Sequence, residues 1–341
     1  SAAEAARGLS ALIRRQIAYH GGWLPFDRFM AAALYAPGLG YYAQGHEVVG
    51  RDFITAPELS PLFGATLAMQ VRQALQATGT AEVFEFGAGT GALAQQLIDA
   101  LGADVARYTI VDVSGALRAR QQERLAPYGA RVRWLDAWPG TMQGVVVGNE
   151  VLDAMPVKLL HLNGGQWQER GVDVSGEHLT WVDRDTDLRP PLAEQLLPGT
   201  VTEIHPQAEA FVMTLAERLQ RGAAFFIDYG FPDSEYYLPE RRHGTLMCHR
   251  AHRADSDPLA DVGHKDITAH INFSGIALAA QDAGFEVLGY TSQAHFLVNC
   301  GVLAHIEAAR ERGDWAAVAA AQKLLAEHEM GELFKVIGLA K

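Results

Sequence analysis

Residues 83–91, with the sequence VFEFGAGTG, constrain the fold of this chain more than any other stretch. Four residues of strand type lead into Gly87, Gly89 and Gly91, and a helical pattern follows. A strand, a glycine turn and a helix in this order form a cradle for a nucleotide or a related cofactor. Glycine permits positive φ angles and lets a ligand approach where a Cβ atom would collide. We therefore expect a cofactor to lie over these glycines, at the start of the helix, where backbone N–H groups are unpaired.

Strands and helices alternate along much of the chain after this turn. Strand patterns occupy 83–86, 108–113, 132–134, 144–148, 223–228, 285–290 and 332–339, and helical patterns occupy 91–101, 114–125, 206–220 and 273–283. Such alternation predicts a parallel, doubly wound α/β sheet. The rhythm lapses in a β-meander from 157 to 183, where Asn163-Gly164-Gly165 is a strong hairpin signal, and again from 229 to 272. Helical segments and a long lid-like stretch precede residue 80.

Carboxylates accompany the predicted strand ends at Glu85, Asp112, Asp136, Glu150 and Asp153. In a doubly wound sheet they would gather at the carboxyl edge, where ligands bind. The glycine turn also satisfies G-x-G-x-x-A, so a dinucleotide such as NAD stays open. Several carboxylates around one cleft would repel a pyrophosphate, whereas they suit a ligand that carries a sulfonium and an ammonium group. The pattern therefore favours S-adenosylmethionine over NAD.

The same carboxylates also have purely structural interpretations. Glu85 could bond backbone amides beside the turn, and Asp136 could cap a helix or turn. Glu150 and Asp153 are three residues apart, which predicts that they share one side of a helical turn, or cap a short helix together with Asn149. Because Pro156 prevents such a helix from continuing, we favour a functional role for this pair.

The predicted chemistry of Glu150 and Asp153 follows from the properties of arginine. An arginine side chain stays protonated at neutral pH, so its nitrogens are poor nucleophiles. Carboxylates can bind the guanidinium group bidentately and aim one nitrogen at a methyl carbon. Most of the rate would then come from alignment rather than from strong base catalysis.

Composition limits the partners and the compartment. A net charge of −12 without a basic run argues against a nucleic-acid surface. Cys248 and Cys300 provide no disulfide framework, which fits a reducing compartment. We expect no membrane partner, because no apolar stretch is long enough to span a bilayer. The first residues lack a secretory signal, but the chain begins without Met, so a removed targeting peptide stays open.

The Cys and His residues of 248–270 match no zinc motif, and we expect no metal.

A series of motifs resembles one known family along nearly the whole chain. They are FDRFM at 26–30, GYY at 40–42, DFITAPELS at 52–60, FEFGAGTG at 84–91, NEVLDAMP at 149–156, IDYG at 227–230, GTL at 244–246, DITAH at 266–270 and MGELFKV at 330–336. In this order they resemble the MidA-like S-adenosylmethionine-dependent methyltransferases, which include a mitochondrial protein arginine methyltransferase needed for complex I assembly.

The resemblance implies a class I methyltransferase fold, Rossmann-like, with a seven-stranded sheet whose last strand is antiparallel. It implies an N-terminal helical cap and lid at 1–79, and a methyltransferase domain at 80–341 with substrate-binding insertions at about 151–204 and 230–272. Residues 55–60 would close over S-adenosylmethionine, and Glu150 and Asp153 would face the acceptor. The partner would be an arginine-containing protein, such as a respiratory complex subunit. We expect a bacterial cytoplasmic enzyme, with the mitochondrial matrix as the alternative and a homodimer as one open oligomeric state.

These interpretations assign the following site residues. The predicted catalytic residues are Glu150 and Asp153. The predicted cofactor-binding residues are Thr55, Pro57, Glu58, Ser60, Glu85, Gly87, Ala88, Gly89, Thr90, Gly91, Asp112, Val113, Asp136 and Asn149. The predicted substrate-binding residues are Tyr41, Tyr229, His252 and His270.

Two other functions stay open from the sequence. The large irregular insertions also fit an assembly factor that binds S-adenosylmethionine only structurally and holds a partner protein. The glycine pattern alone fits an NAD-dependent oxidoreductase.

Overall fold

The computed structural model describes residues 2–44, 54–112, 117–250 and 253–341. The chain divides into two compact units. The first unit contains Ser1–Phe53, Leu152–Phe211 and Phe231–Ile276, and the second contains Ile54–Val151, Val212–Gly230 and Ala277–Lys341. The predicted division at residue 79/80 stays a prediction. Of the helices in the described ranges, none has the length and apolar character that crossing a membrane requires.

The helices of the described residues are, in chain order, α1 (Ala2–Tyr19), α2 (Phe26–Tyr35), α3 (Ala56–Leu59), α4 (Pro61–Thr78), α5 (Ala92–Leu101), α6 (Arg118–Leu125), α7 (Pro206–Arg218), α8 (Asp233–Tyr236), α9 (Phe273–Asp282), α10 (Gln293–Asn299), α11 (Val302–Glu311) and α12 (Trp315–Leu325). The strands are β1 (Leu24–Pro25), β2 (Glu82–Phe86), β3 (Arg107–Val111), β4 (Val132–Leu135), β5 (Met142–Asn149), β6 (Lys158–Asn163), β7 (Gln166–Ser175), β8 (His178–Asp185), β9 (Val201–Ile204), β10 (Leu219–Phe231), β11 (Met247–Arg250), β12 (Arg253–Asp255), β13 (Asp266–Thr268), β14 (Ile271–Asn272), β15 (Glu286–Ser292) and β16 (Phe334–Ala340).

The second unit is built on a sheet with the strand order β15-β16-β10-β5-β2-β3-β4. The strands β10, β5, β2, β3 and β4 pair in parallel, whereas β16 is antiparallel to both β10 and β15. The central strand β5 carries Val145, Val146 and Val147, which are fully buried because both faces of a doubly wound sheet are covered. The predicted α/β fold with an antiparallel last strand is confirmed.

The order of the strands reverses between β2 and β5. From β2 the chain continues to β3 and β4 on one side, whereas β5 lies on the other side next to β10. In open α/β sheets, ligands bind outside the carboxyl ends of the strands at such a reversal. The glycine turn after β2 and the residues that end β5 therefore occupy the expected ligand position.

The first unit contains two antiparallel sheets and the helices α1 and α2. One sheet has the order β1-β7-β6-β9, with β8 paired to β7, and the other has the order β12-β11-β13. The predicted hairpin is confirmed: Asn163 pairs with Gln166 across Gly164 and Gly165, whose φ angles of 58° and 82° suit a two-residue turn. Leu9, Ile13 and Phe26 are among the buried residues of its core.

Candidate functional site

The three glycines after β2 all adopt left-handed backbone conformations. The φ angles are 63° at Gly87, 53° at Gly89 and 83° at Gly91, which L-residues with a Cβ atom rarely adopt. A Cβ atom on Gly87 would lie 2.9 Å from Cγ2 of Val151, whereas one on Gly89 would meet nothing within 4 Å. The turn is therefore tightly packed at its first glycine and open at its second, as a cradle for a ligand requires.

Gln121, on α6, forms a hydrogen bond to the backbone of this turn. Its side chain is fully buried, and its Nε2 donates to the carbonyl oxygen of Gly89 at 2.8 Å and to Oδ2 of Asp112 at 3.4 Å. Its Oε1 accepts a hydrogen bond from Nε1 of Trp134 at 3.0 Å. Gln121 therefore connects the glycine turn to the predicted ribose-binding carboxylate after β3. Gln121 is not among the predicted site residues, because a glutamine within a polar helix carries no distinguishing pattern.

Glu85 is buried beside the turn, with 2% of its surface exposed. Its Oε2 accepts a hydrogen bond of 2.6 Å from the hydroxyl of Tyr108 on β3. Burial raises the pKa of Glu85 to about 7, and the hydrogen bond from Tyr108 offsets only part of that effect. Glu85 thus changes its charge near neutral pH, so a nearby cation would favour its ionised form.

The short helix α3 is attached to the turn through Glu58. The hydroxyl of Thr90 donates to Oε1 of Glu58, and Nη1 of Arg124 lies 3.0 Å from Oγ1 of Thr90 and 3.3 Å from Oε1 of Glu58. Arg124, on α6, was not among the predicted site residues. The three side chains join the predicted lid segment, the glycine turn and α6 within the second unit.

The other predicted lid residues have structural contacts. The carbonyl oxygen of Pro57 accepts a hydrogen bond of 2.7 Å from Nε2 of Gln96, and Oγ of Ser60 accepts one of 3.2 Å from the N–H of Leu62, which caps α4. Thr55 precedes α3 without a side-chain capping bond. Ligand contacts of these residues stay predictions.

Asp136, another predicted cofactor residue, is largely exposed. Its side chain is 78% exposed and pairs with the guanidinium of Arg118. Nearby, the rings of Phe86 and Trp138 lie 4.8 Å apart. Contact of Asp136 with the cofactor stays a prediction. The same holds for Val113, which lies outside the described residues.

The chain bends sharply after β5, and no helix forms in the described residues 149–156. Glu150 has a φ angle of 53°, and its carboxylate accepts a hydrogen bond of 3.3 Å from Nδ2 of Asn149. The expectation that Glu150 and Asp153 share a helical turn is therefore wrong, because a left-handed residue breaks the helical path. Glu150 belongs to the second unit and Asp153 to the first.

Within the first unit, Asp153 lies near two tyrosines and a second carboxylate. The rings of Tyr35 and Tyr42 stack at 5.5 Å, and the hydroxyl of Tyr42 donates to Asp266 at 2.9 Å. Burial raises the pKa of Tyr35, and the charges of Asp266 and Asp153 raise it further. Asp153 and Asp266 are both buried. This group combines aromatic faces with carboxylates, a chemistry suited to cations.

The predicted substrate-binding residues have separate surroundings. In the first unit, Tyr41 is buried edge-to-face against Tyr42, and the imidazole of His270 stacks on the ring of Phe231 at 5.3 Å. In the second unit, Tyr229 packs on Phe334 at 3.9 Å between ring centroids. His252 lies outside the described residues. Substrate contact stays a prediction for all four.

Comparison with known proteins supplies a context for this geometry. A family model described as "S-adenosyl-L-methionine-dependent methyltransferase" matches residues 66–291. The "Protein arginine methyltransferase NDUFAF7 homolog, mitochondrial" of Caenorhabditis elegans is 26% identical over 325 residues, 82% of this chain and 74% of that protein. Its Drosophila melanogaster counterpart is 28% identical over 327 residues, 83% of this chain and 72% of that protein.

A solved structure is more similar still. A Burkholderia thailandensis protein, crystallised with bound S-adenosyl-homocysteine, is 50% identical and has a TM-score of 0.93. The match covers 100% of this chain and 93% of that one.

Proposed function

This chain belongs to a family of S-adenosylmethionine-dependent methyltransferases, and we propose that it methylates an arginine side chain of a protein substrate. The observation that carries the choice of arginine is the similarity, over 82% of the chain, to relatives named protein arginine methyltransferases. The carboxylate of Glu150 supports it, because a guanidinium group pairs well with a carboxylate.

The residues around the glycine turn fit S-adenosylmethionine. The open space over Gly89 accommodates a ligand close to the backbone. Glu85 suits the ammonium group, and Asp112, at the end of the next strand, suits a ribose hydroxyl pair. When bound, the cofactor supplies a methyl group on a sulfonium sulfur, which a nucleophilic nitrogen takes with release of S-adenosyl-homocysteine and a proton.

The chain's own part in this reaction is to bind and orient the acceptor. In the proposed arrangement, the Glu150 carboxylate accepts N–H bonds from the guanidinium group and holds one nitrogen in line for transfer. The same carboxylate favours positive charge on the remaining nitrogens and receives the proton that is lost. The left-handed backbone of Glu150 is the kind of strain that clusters at functional sites.

The test uses purified protein, a methyl-labelled donor and protein extract from a strain that lacks the gene. We expect label in methylarginine, and loss of the label with Glu150→Gln although S-adenosyl-homocysteine still binds. Glu286→Gln, at an exposed carboxylate on β15, is the matched control and should retain transfer.

Two results would overturn the proposal. Label in another residue type would contradict the choice of arginine. Cofactor binding without transfer to any protein in the extract would favour a partner-holding assembly factor. We also propose a bacterial cytoplasm as the setting of the reaction; the 50% identity to a Burkholderia thailandensis protein supports the bacterial source.

A further inference from the structure

The side chain of Asn149 has a buried oxygen to which none of the described residues donates a hydrogen bond. Asn149 ends β5 and is 9% exposed, and no donor of the described residues lies within reach of its Oδ1. Its Nδ2 donates to Oε2 of Glu150 at 3.3 Å. Buried amide oxygens normally accept a hydrogen bond, because losing water without a replacement partner is unfavourable. This oxygen is therefore a candidate acceptor for a donor that a ligand brings.

An unpartnered buried amide oxygen is not sufficient by itself, as Gln293 shows. Gln293 is fully buried at the start of α10, and its Nε2 donates to the carbonyl oxygen of Leu324 at 3.0 Å. Its Oε1 also lacks a donor in the part of the chain that the structure describes. It follows β15, three strands from β5 and thus about 14 Å across the sheet. Asn149 differs because it ends the strand beside the reversal of strand order and holds the carboxylate of a strained residue.

We propose that Oδ1 of Asn149 accepts an N–H from the guanidinium group of the acceptor arginine, beside the carboxylate of Glu150. The bond from Nδ2 to Glu150 fixes the amide plane, so its oxygen and the carboxylate offer two neighbouring acceptors to one planar donor group. An amide oxygen holds an N–H without removing its proton, so Asn149 orients the acceptor while Glu150 carries the charge. The sequence assigns Asn149 to the cofactor, but its bond to Glu150 favours the acceptor. This inference rests on the proposed function.

The experiment measures binding, so that it does not depend on turnover. The probes are N-acetyl-L-arginine amide and its neutral urea counterpart, N-acetyl-L-citrulline amide. Each is titrated by ligand-observed NMR into protein saturated with S-adenosyl-homocysteine. Asn149→Leu removes both the oxygen and the nitrogen of the amide and keeps a similar shape. Asn149→Asp keeps an acceptor oxygen. Gln293→Leu is the matched control.

We expect wild type to prefer the arginine probe over the citrulline probe. Asn149→Leu should weaken the arginine probe at least tenfold while the Kd of S-adenosyl-homocysteine stays within twofold, which also shows that the variant is folded. Asn149→Asp should retain more affinity for the arginine probe than Asn149→Leu. Gln293→Leu should leave both affinities unchanged.

Different failures have different meanings. Equal binding of the arginine probe by wild type and Asn149→Leu would overturn this inference and leave the proposed function intact. A tenfold loss of S-adenosyl-homocysteine affinity in Asn149→Leu, with arginine binding unchanged, would assign the oxygen to the cofactor instead. Absence of any preference for the arginine probe in wild type, together with no methylarginine in the extract assay, would overturn the proposed function as well.

Discussion

Gln121 donates a hydrogen bond of 2.8 Å to the carbonyl oxygen of Gly89, from a helix that begins 29 residues after this glycine. The bond fixes the orientation of the peptide that follows the most open glycine of the turn. Gln121 also donates to Asp112, which follows β3, and accepts from Trp134. One side chain therefore sets the relative positions of the ends of the parallel strands β2 and β3. The shape of the glycine turn therefore depends on α6 as well as on its glycines.

Replacing Gln121 with Met should damage both stability and cofactor binding. Met fills a similar volume but leaves the N–H of Trp134 and the carbonyl of Gly89 without their partners. We expect a loss of about 3 kcal/mol in the free energy of unfolding, measured by urea denaturation, and a weaker Kd for S-adenosyl-homocysteine by calorimetry. Gln121→Glu keeps the acceptor for Trp134 but places a buried carboxylate against the carbonyl of Gly89 and the carboxylate of Asp112, so it should cost at least as much stability as Met. An unchanged Kd in the Met variant would show that the turn keeps its shape without this bond.

Alanine at Gly89 should separate backbone strain from the loss of the cradle. Gly79, which follows α4, is the matched control, since its φ angle is 62° and a Cβ atom there also meets nothing within 4 Å. Each alanine should cost about 1 kcal/mol of stability, because both positions are left-handed. Only Gly89→Ala should weaken S-adenosyl-homocysteine, by tenfold or more, since its Cβ would occupy ligand space. Equal cofactor affinity in the two variants would contradict a ligand over Gly89.

Arg124 should hold α3 against the glycine turn through Glu58. The side chains of Arg124 and Glu58 are 27% and 33% exposed, so their attraction is only partly screened. We expect Arg124→Gln to raise the Kd of S-adenosyl-homocysteine about fivefold, chiefly through faster dissociation. A double-mutant cycle with Glu58→Gln should show a coupling of about 1 kcal/mol in cofactor binding. Additive effects would mean that the two side chains act independently on the cofactor.

Most of the fold could be predicted because its signals are local. The alternation of buried strands with helices, the glycine turn and the Gly164-Gly165 hairpin each depend on neighbouring residues, and the structure forms all of them. The antiparallel position of β16 between β10 and β15 is different, because strand order is a long-range property. It followed from the family resemblance and not from the pattern of apolar residues.

The site was less predictable, because its contacts join residues far apart in the sequence. Gln121 and Arg124 resemble any other polar helix residues until α6 packs against the turn. Spacing alone predicted a helical turn for Glu150 and Asp153, but the bend after β5 places Glu150 in a left-handed conformation that spacing does not reveal. The unpartnered oxygen of Asn149 is likewise visible only when its surroundings are known.

Glu85 should make the stability of the protein depend on pH between about 4.5 and 7. Burial raises its pKa from 4.5 to about 7, so within this range the folded chain binds more protons than the unfolded chain. The contribution of Glu85 to the free energy of unfolding is therefore fully present below pH 4.5. It is lost as the pH rises through 7, since the buried carboxylate must then ionise. The shift corresponds to roughly 3 kcal/mol.

Glu85→Gln tests this dependence, because a neutral amide of the same shape can still accept the hydrogen bond from Tyr108. The free energy of unfolding is measured by urea denaturation for wild type and variant at pH 5 and pH 8. In the difference between the two proteins, the contributions of groups that titrate alike in both cancel. We expect wild type to lose about 2.5 kcal/mol more than the variant between these two pH values, because part of the effect is already lost at pH 5. Tyr108→Phe removes the hydrogen bond that favours the ionised form, so it should move the decline to higher pH. Parallel pH profiles for wild type and Glu85→Gln would contradict a raised pKa and would indicate that Glu85 is already ionised at pH 5.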